Sequence, residues 1–229
     1  MLVATQGLVL HTTPYSESSV VAKVFTRQLG VRSYIIKGVR GRTGRVKQNL
    51  LQPLSSLDMV VYDNHRKDLN YIKELSPRHP QQDSEPIANA LRFFMTEVLY
   101  KALREEEPMQ ELWDYVESAE CNNSELPVVF MLKVAHYLGI EPLDNHCAAT
   151  PYFCLEEGRF VGVPNESTLG SGLSATLHSY LQTYEIDATP HATLKERTDL
   201  VNALIAYFQM HLSGFHNFKS HEILHSVLR

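Results

Sequence analysis

An α+β architecture, a five-stranded closed barrel followed by an α-helical domain, is what this sequence predicts, on three observations. Residues 2–75 break into five short runs rich in β-branched and aromatic side chains, each bounded by turn-forming residues. Pro77, Pro80 and Pro86, around Gln81-Gln82-Asp83-Ser84, then end that pattern. Beyond them apolar residues recur at helical rather than alternating spacing. The expected division is a barrel over 1–78 and helices over 79–229.

The first strand is read over Leu2–Thr12, with Thr13-Pro14-Tyr15-Ser16 as its turn. Ser19–Thr26 is the second and Val31–Lys37 the third, separated by a turn containing Gln28-Leu29-Gly30. Leu57–Tyr62 and Leu69–Leu75 follow, joined by Asp63–Asp68. Five short strands in this length suit a small closed barrel, because closure removes exposed sheet edges.

Ile87, Leu91, Phe94, Val98 and Ala102 share one helical face in a helix running through Leu103, stopped by Glu105-Glu106-Glu107-Pro108. Met109–Ala119 carries Trp113, the single tryptophan. Glu125–Leu138 is closed by Gly139, with Pro142 beyond. Within the irregular segment 143–172, Tyr152–Leu155 and Arg159–Val163 can pair as a hairpin across Glu156-Glu157-Gly158. Leu173–Tyr184 is helical. Thr193 and Glu196 fit a capping box that opens a long helix ending at Gly214, and Ser220–Leu228 is a final short helix.

With 229 residues, 44% of them hydrophobic, the chain can bury a core. Its net charge of −5 is unevenly divided. Residues 1–80 hold twelve Lys and Arg against five Asp and Glu, a balance of +7, while the remainder stands at −12. That asymmetry argues for a polyanion-facing N-terminal half on an acidic body. The N-terminus lacks the basic start and apolar core of a secretory signal. No run approaches the ~18 apolar residues of a membrane span. Cys121, Cys147 and Cys154 are too few and too scattered for a disulfide framework. A soluble, cytoplasmic protein is expected.

The positive charge concentrates in one stretch. Lys37, Arg40, Arg42, Arg45 and Lys47 fall within eleven residues together with Gly38, Gly41 and Gly44, and no acidic residue occurs between Glu17 and Asp58. Such a segment either binds a polyanion or is simply a solvated hairpin tip. A hairpin of the second and third strands closing over Arg27–Gly30 sets Phe25 opposite Arg32 and Lys23 opposite Tyr34. Those four would then line one surface, with cations interleaved between aromatic rings as unpaired bases and phosphates require. Oligonucleotide-binding (OB) barrels use this strand 2–3 face and the loops flanking it, which here offer Tyr15 and His65-Arg66-Lys67.

Other chemistries find less support. The glycine-rich segment has no Gly-x-x-x-x-Gly-Lys-Ser/Thr sequence, so it lacks the phosphate and magnesium contacts of nucleotide hydrolysis. Gly38–Gly41 and Gly41–Gly44 each match a short GXXG pattern, but their flanks read as strands rather than helices. His146, Cys147 and Cys154 do not supply the paired spacing of structural zinc. A Cys–His hydrolase could be assembled from Cys147 with His136 or His191, yet any chain with eleven histidines offers such pairs.

Several segments together resemble the RecO family of bacterial recombination mediators. They are Gly7–Ser18, Thr26–Gly30, Lys37–Arg40, Leu51–Ser55, Ala90–Leu103 and Phe130–Pro142. His211–Phe215 followed by Lys219–Val227 is similar to the branch found in the Bacteroides group. The resemblance implies an N-terminal OB-fold barrel, a helical domain, and no catalysis of bond breaking. It implies binding to single- and double-stranded DNA and annealing of complementary strands. With the partner RecR, it implies loading of RecA on DNA coated by single-stranded DNA-binding protein (SSB), whose acidic tail many members contact. Many relatives carry two Cys-x-x-Cys pairs after the third helix. Here only Cys147 and Cys154 remain, so neither a metal nor another cofactor is expected.

The candidate DNA-contacting residues are therefore Lys37, Arg40, Arg42, Arg45 and Lys47, followed by Lys23, Arg27, Arg32, Phe25, Tyr34 and Arg66. Two alternatives share the same charge: a module that docks acidic partner tails, and an RNA-binding barrel.

Overall fold

The computed structural model describes residues 1–39, 48–64, 67–79, 85–103, 107–184, 190 and 192–227. Strands β1 (Leu2–Pro14), β2 (Val20–Thr26), β3 (Gly30–Ile36), β4 (Ser56–Tyr62) and β5 (Leu69–Pro77) close into a barrel in the order β1-β2-β3-β5-β4. Only β3 and β5 run parallel. β1 serves two neighbours, its residues 7–14 pairing with β2 and its residues 2–8 with β4. A 3₁₀ turn (Gln48–Leu51) precedes β4. This is the OB-fold barrel expected from the five-run pattern.

Alternation decides what the barrel encloses. Val9, Val24, Tyr34, Leu57, Met59 and Val61 form its buried core. Gly7 sits where β1 is shared, and a Cβ there would lie 2.5 Å from Val24 and 2.7 Å from Met59. A strand that turns a barrel corner against packed side chains needs this glycine.

The β2–β3 hairpin departs from the sequence expectation by one residue. Thr26 pairs with Gly30, so Phe25 faces Val31, Val24 faces Arg32, Lys23 faces Ser33 and Ala22 faces Tyr34. The turn fixes this register. Thr26 Oγ1 donates to the Gly30 carbonyl at 2.7 Å and accepts from the Leu29 amide at 3.0 Å, while Gly30 takes a φ of +69°. A three-residue loop closed by a left-handed glycine results. A one-residue slip exchanges inside for outside. Arg32 and Tyr34 therefore point into the barrel, and Lys23 and Phe25 point out.

The outward row Leu8–Phe25–Val31 is nevertheless buried. Helix α2 (Gln110–Ser118) lies over it, with the Trp113 indole N–H donating to the Phe25 carbonyl at 3.0 Å. The carbonyl of Glu107, before this helix, lies 2.6 Å from where a Cβ on Gly30 would stand. Residues Leu103–Glu120 thus belong to the same compact unit as Met1–Glu85.

The second unit comprises Pro86–Ala102 and Cys121–Arg229. It holds α1 (Pro86–Ala102), α3 (Leu126–Tyr137), the hairpin of β6 (Tyr152–Cys154) and β7 (Arg159–Val161), α4 (Ser171–Thr183), α5 (Leu194–His211) and α6 (Ser220–Val227). Gly139 ends α3 at φ +69°, and Thr193 with Glu196 completes the capping box of α5. Glu97 on α1 accepts from the Lys219 and Ser220 amides, satisfying the start of α6. Tyr180 and Arg197 both donate to Glu125, the Arg197 bond measuring 2.7 Å. No described helix is long and apolar enough to cross a membrane.

Candidate nucleic-acid interface

Register gathers three loops at one end of the barrel. Thr13 pairs with Val21, Val21 with Ile35, Ile35 with Tyr71 and Tyr71 with Tyr62, a row across all five strands. Immediately beyond that row come the β1–β2 turn, the exit from β3 and the β4–β5 turn. The Val39 amide donates to the Ser18 carbonyl at 2.8 Å, tying the β3 exit to the β1–β2 turn. Val39 is the last described residue before Arg40, so the glycine-rich cationic segment departs from this end. Arg40, Arg42, Arg45, Lys47 and Arg66 themselves lie outside the described residues.

The β4–β5 turn is anchored by a buried asparagine. Asn70 Oδ1 accepts the Asn64 amide at 3.0 Å, and the Asp63 amide donates to the Met1 carbonyl at 2.8 Å. Lys67 in this turn is exposed, as are Tyr15 and Glu17 in the β1–β2 turn and Asp68 in the β4–β5 turn. Lys37, at the β3 exit, is exposed, and its ammonium stands 5.3 Å from the centre of the Tyr71 ring. That distance suits a cation–π contact.

The remaining sequence candidates do not share one surface. Lys23 is half-buried on the outward face of β2. Phe25 is fully buried in the row under α2. Arg32 is inside the barrel, its Nε 3.7 Å from Asp63 Oδ1, with both side chains nearly excluded from water. Paired inside the barrel, Arg32 has no reach to a phosphate. Tyr34 is fully buried as well, and burial, with the Asp63 charge next, pushes its phenol well above the ordinary range. Neither Phe25 nor Tyr34 offers a ring face. The four-residue platform expected from the sequence is absent because the hairpin closes one residue tighter.

Arg27 sits at the other end of β2 from these loops. Its Nε and Nη2 donate to Asp114 on α2 at 2.7 and 2.8 Å. That hydrogen bond and the Asp114 charge raise the guanidinium further, and Arg27 in turn lowers the carboxyl.

Tyr62 and Tyr71 escaped the sequence reading. They oppose one another on β4 and β5, about half exposed at 51% and 46%. Alternation sets each tyrosine on the face opposite its neighbour, and the burial of Val61 and Asn70 decides that this face is the outer one.

Outside the barrel, the cysteines and histidines considered for metal or hydrolytic chemistry have separate local partners. Cys147 Sγ lies 3.1 Å from Thr150 Oγ1, a hydrogen bond that lowers the thiol below its usual range. Cys154 is buried, and His136 Nδ1 is 2.7 Å from Glu141. His191 lies outside the described residues. No three His, Cys, Asp or Glu side chains converge among the described residues.

Comparison with known proteins agrees with this architecture. The family described as Recombination protein O N terminal matches residues 1–81. The DNA repair protein RecO of Porphyromonas gingivalis is 29% identical over 245 residues, spanning 99% of both chains. Its counterpart in Christiangramia forsetii is 28% identical over 241 residues, also 99% of each. That of Phocaeicola vulgatus is 28% identical over 237 residues, 98% of each. With the N-terminal match covering the barrel and these relatives aligning from end to end, the chain is similar to RecO proteins over its whole length.

Proposed function

We propose that this protein is a DNA-binding recombination mediator of DNA repair, working from the loop-bearing end of its barrel. One observation carries the reading: the β1–β2, β3-exit and β4–β5 loops share that end, where Lys37 and Lys67 are exposed and the acid-free cationic segment begins. Arg40, Arg42, Arg45 and Lys47 contact phosphates, with Lys37 at the loop base and Lys23 and Arg66 as secondary contacts. Gly38, Gly41 and Gly44 allow the backbone to approach the strand closely. Cations on a rigid barrel neutralise the repulsion between two strands held close together. Annealing of complementary strands follows without any nucleophile or metal.

In this reading residues 1–78 are the nucleic-acid module. The helical remainder serves protein contacts with RecR and the acidic SSB tail, through which RecA is loaded. The protein works in the cytoplasm and breaks no bond.

The test is fluorescence-anisotropy binding to a labelled single-stranded oligonucleotide across a salt series. The four loop cations Arg40, Arg42, Arg45 and Lys47 alone give a log–log slope of about −3, and Arg40/Arg42/Arg45→Ala flattens it by about two units. A wild-type slope in the triple variant overturns this assignment. Binding to an acidic peptide but not to DNA favours a protein-docking module instead.

A further inference from the structure

We infer that Tyr62 and Tyr71 form a base-stacking subsite that lets this barrel end distinguish an unpaired strand from a duplex. The inference rests on the nucleic-acid reading above and deepens it by naming which form of nucleic acid the site engages beyond its phosphates. The two tyrosines are register partners on adjacent antiparallel strands, so their side chains leave the same outer face. Their Cα atoms are about 5 Å apart, as opposed residues in such pairs are. Leu2, opposite Tyr62 on β1 and 49% exposed, extends the apolar strip.

A pair of tyrosines on a barrel surface can be no more than a cross-strand packing pair, and three features point further. Both rings keep about half their surface in water, so packing leaves much of their apolar area uncovered. Lys37 stands over Tyr71, at the base of the cationic segment. It steadies the ring and supplies a positive charge within a nucleotide's reach of it. The pair also adjoins the β4–β5 turn, where Lys67 is exposed. Ring and cation side by side are the two elements that hold a single strand, one for the base face and one for the phosphate. In a duplex the base faces are stacked on one another, so a tyrosine ring has nothing to stack on. Phosphate contacts hold either form, whereas the tyrosines act only on the unpaired one.

The experiment compares Tyr62→Ala, Tyr71→Ala and the double variant with wild type, each titrated with single-stranded and duplex DNA at several salt concentrations. Each single variant is expected to weaken single-strand binding about 5- to 150-fold, the range of one lost base stack. Duplex affinity and both salt slopes stay at wild-type values. Tyr71→Phe retains binding because it keeps the ring. Trp113, the single tryptophan, lies on the barrel and reports by its emission that each variant has folded. A wild-type oligonucleotide carrying iodouracil gives photocrosslinks at Tyr62 or Tyr71 without any substitution. Equal losses for single strand and duplex, or unchanged single-strand affinity with crosslinks elsewhere, overturn the subsite while leaving the phosphate-binding reading intact. Failure of wild type to bind DNA overturns that reading itself.

Discussion

Arg27 and Asp114 form a two-bond ion pair, with Nε at 2.7 Å and Nη2 at 2.8 Å from the carboxylate oxygens. The pair joins the β2–β3 turn to α2, and it commits a cation that would otherwise be open to a phosphate. Arg–carboxylate forks of this kind are geometrically specific, and their charge is cancelled locally.

Arg27→Ala is therefore expected to leave the salt dependence of DNA binding unchanged, whereas Lys37→Ala flattens the log–log slope by about 0.7 for a single strand. Anisotropy titrations of the two variants side by side check this. A flattened slope in Arg27→Ala would show that the strand reaches the far end of β2 and displaces Asp114.

Gly30→Ala tests how α2 is held on the barrel. The position has φ +69°, and an added Cβ would stand 2.6 Å from the Glu107 carbonyl oxygen. Strain alone costs more than about 1 kcal/mol, and the clash is with backbone, which cannot rotate away. Chemical denaturation should give a lower midpoint. The Trp113 emission should shift to the red as the indole loses its place over Phe25.

Alkaline pH should unfold the protein through its buried tyrosines. Burial, and then the charge of Glu141, push Tyr207 from an ordinary 10.0 up to about 12, and burial raises Tyr34 and Tyr180 as well. A tyrosine whose folded value exceeds its unfolded value stabilises fully below the unfolded value, here about pH 10. That contribution is lost as pH rises through the folded value. Circular dichroism and tyrosinate absorbance should change together above pH 10. Tyr207→Phe should move the transition to higher pH, although it gives up the hydrogen bond to the Ile140 carbonyl.

Local signals were dependable along this chain. The placement of all five strands to within one or two residues, the capping box at Thr193 and Glu196, the glycine stop at Gly139 and the β6–β7 hairpin follow from short-range chemistry. The charge asymmetry pointed to the barrel half in the same way. The site was only partly legible. The basic segment and the loops at its end could be named, whereas of the two ring-bearing candidates Tyr34 turns inward and Phe25, on the outer face, is buried.

What the sequence by itself determined is the kind and order of elements, the barrel closure and the concentration of cations near Lys37. Alternation and capping are written in neighbouring residues. Tertiary structure alone decided three matters: the inward turn of Arg32 and Tyr34, the covering of Phe25 by α2, and the exposure of Tyr62 opposite Tyr71. Alternation says that every second residue is buried but not which set, and a one-residue change in a turn exchanges the two. An amphipathic helix likewise declares a buried face without naming what it lies against. Those choices depend on contacts between residues far apart in the chain, such as Asp63 for Arg32 and Trp113 for Phe25.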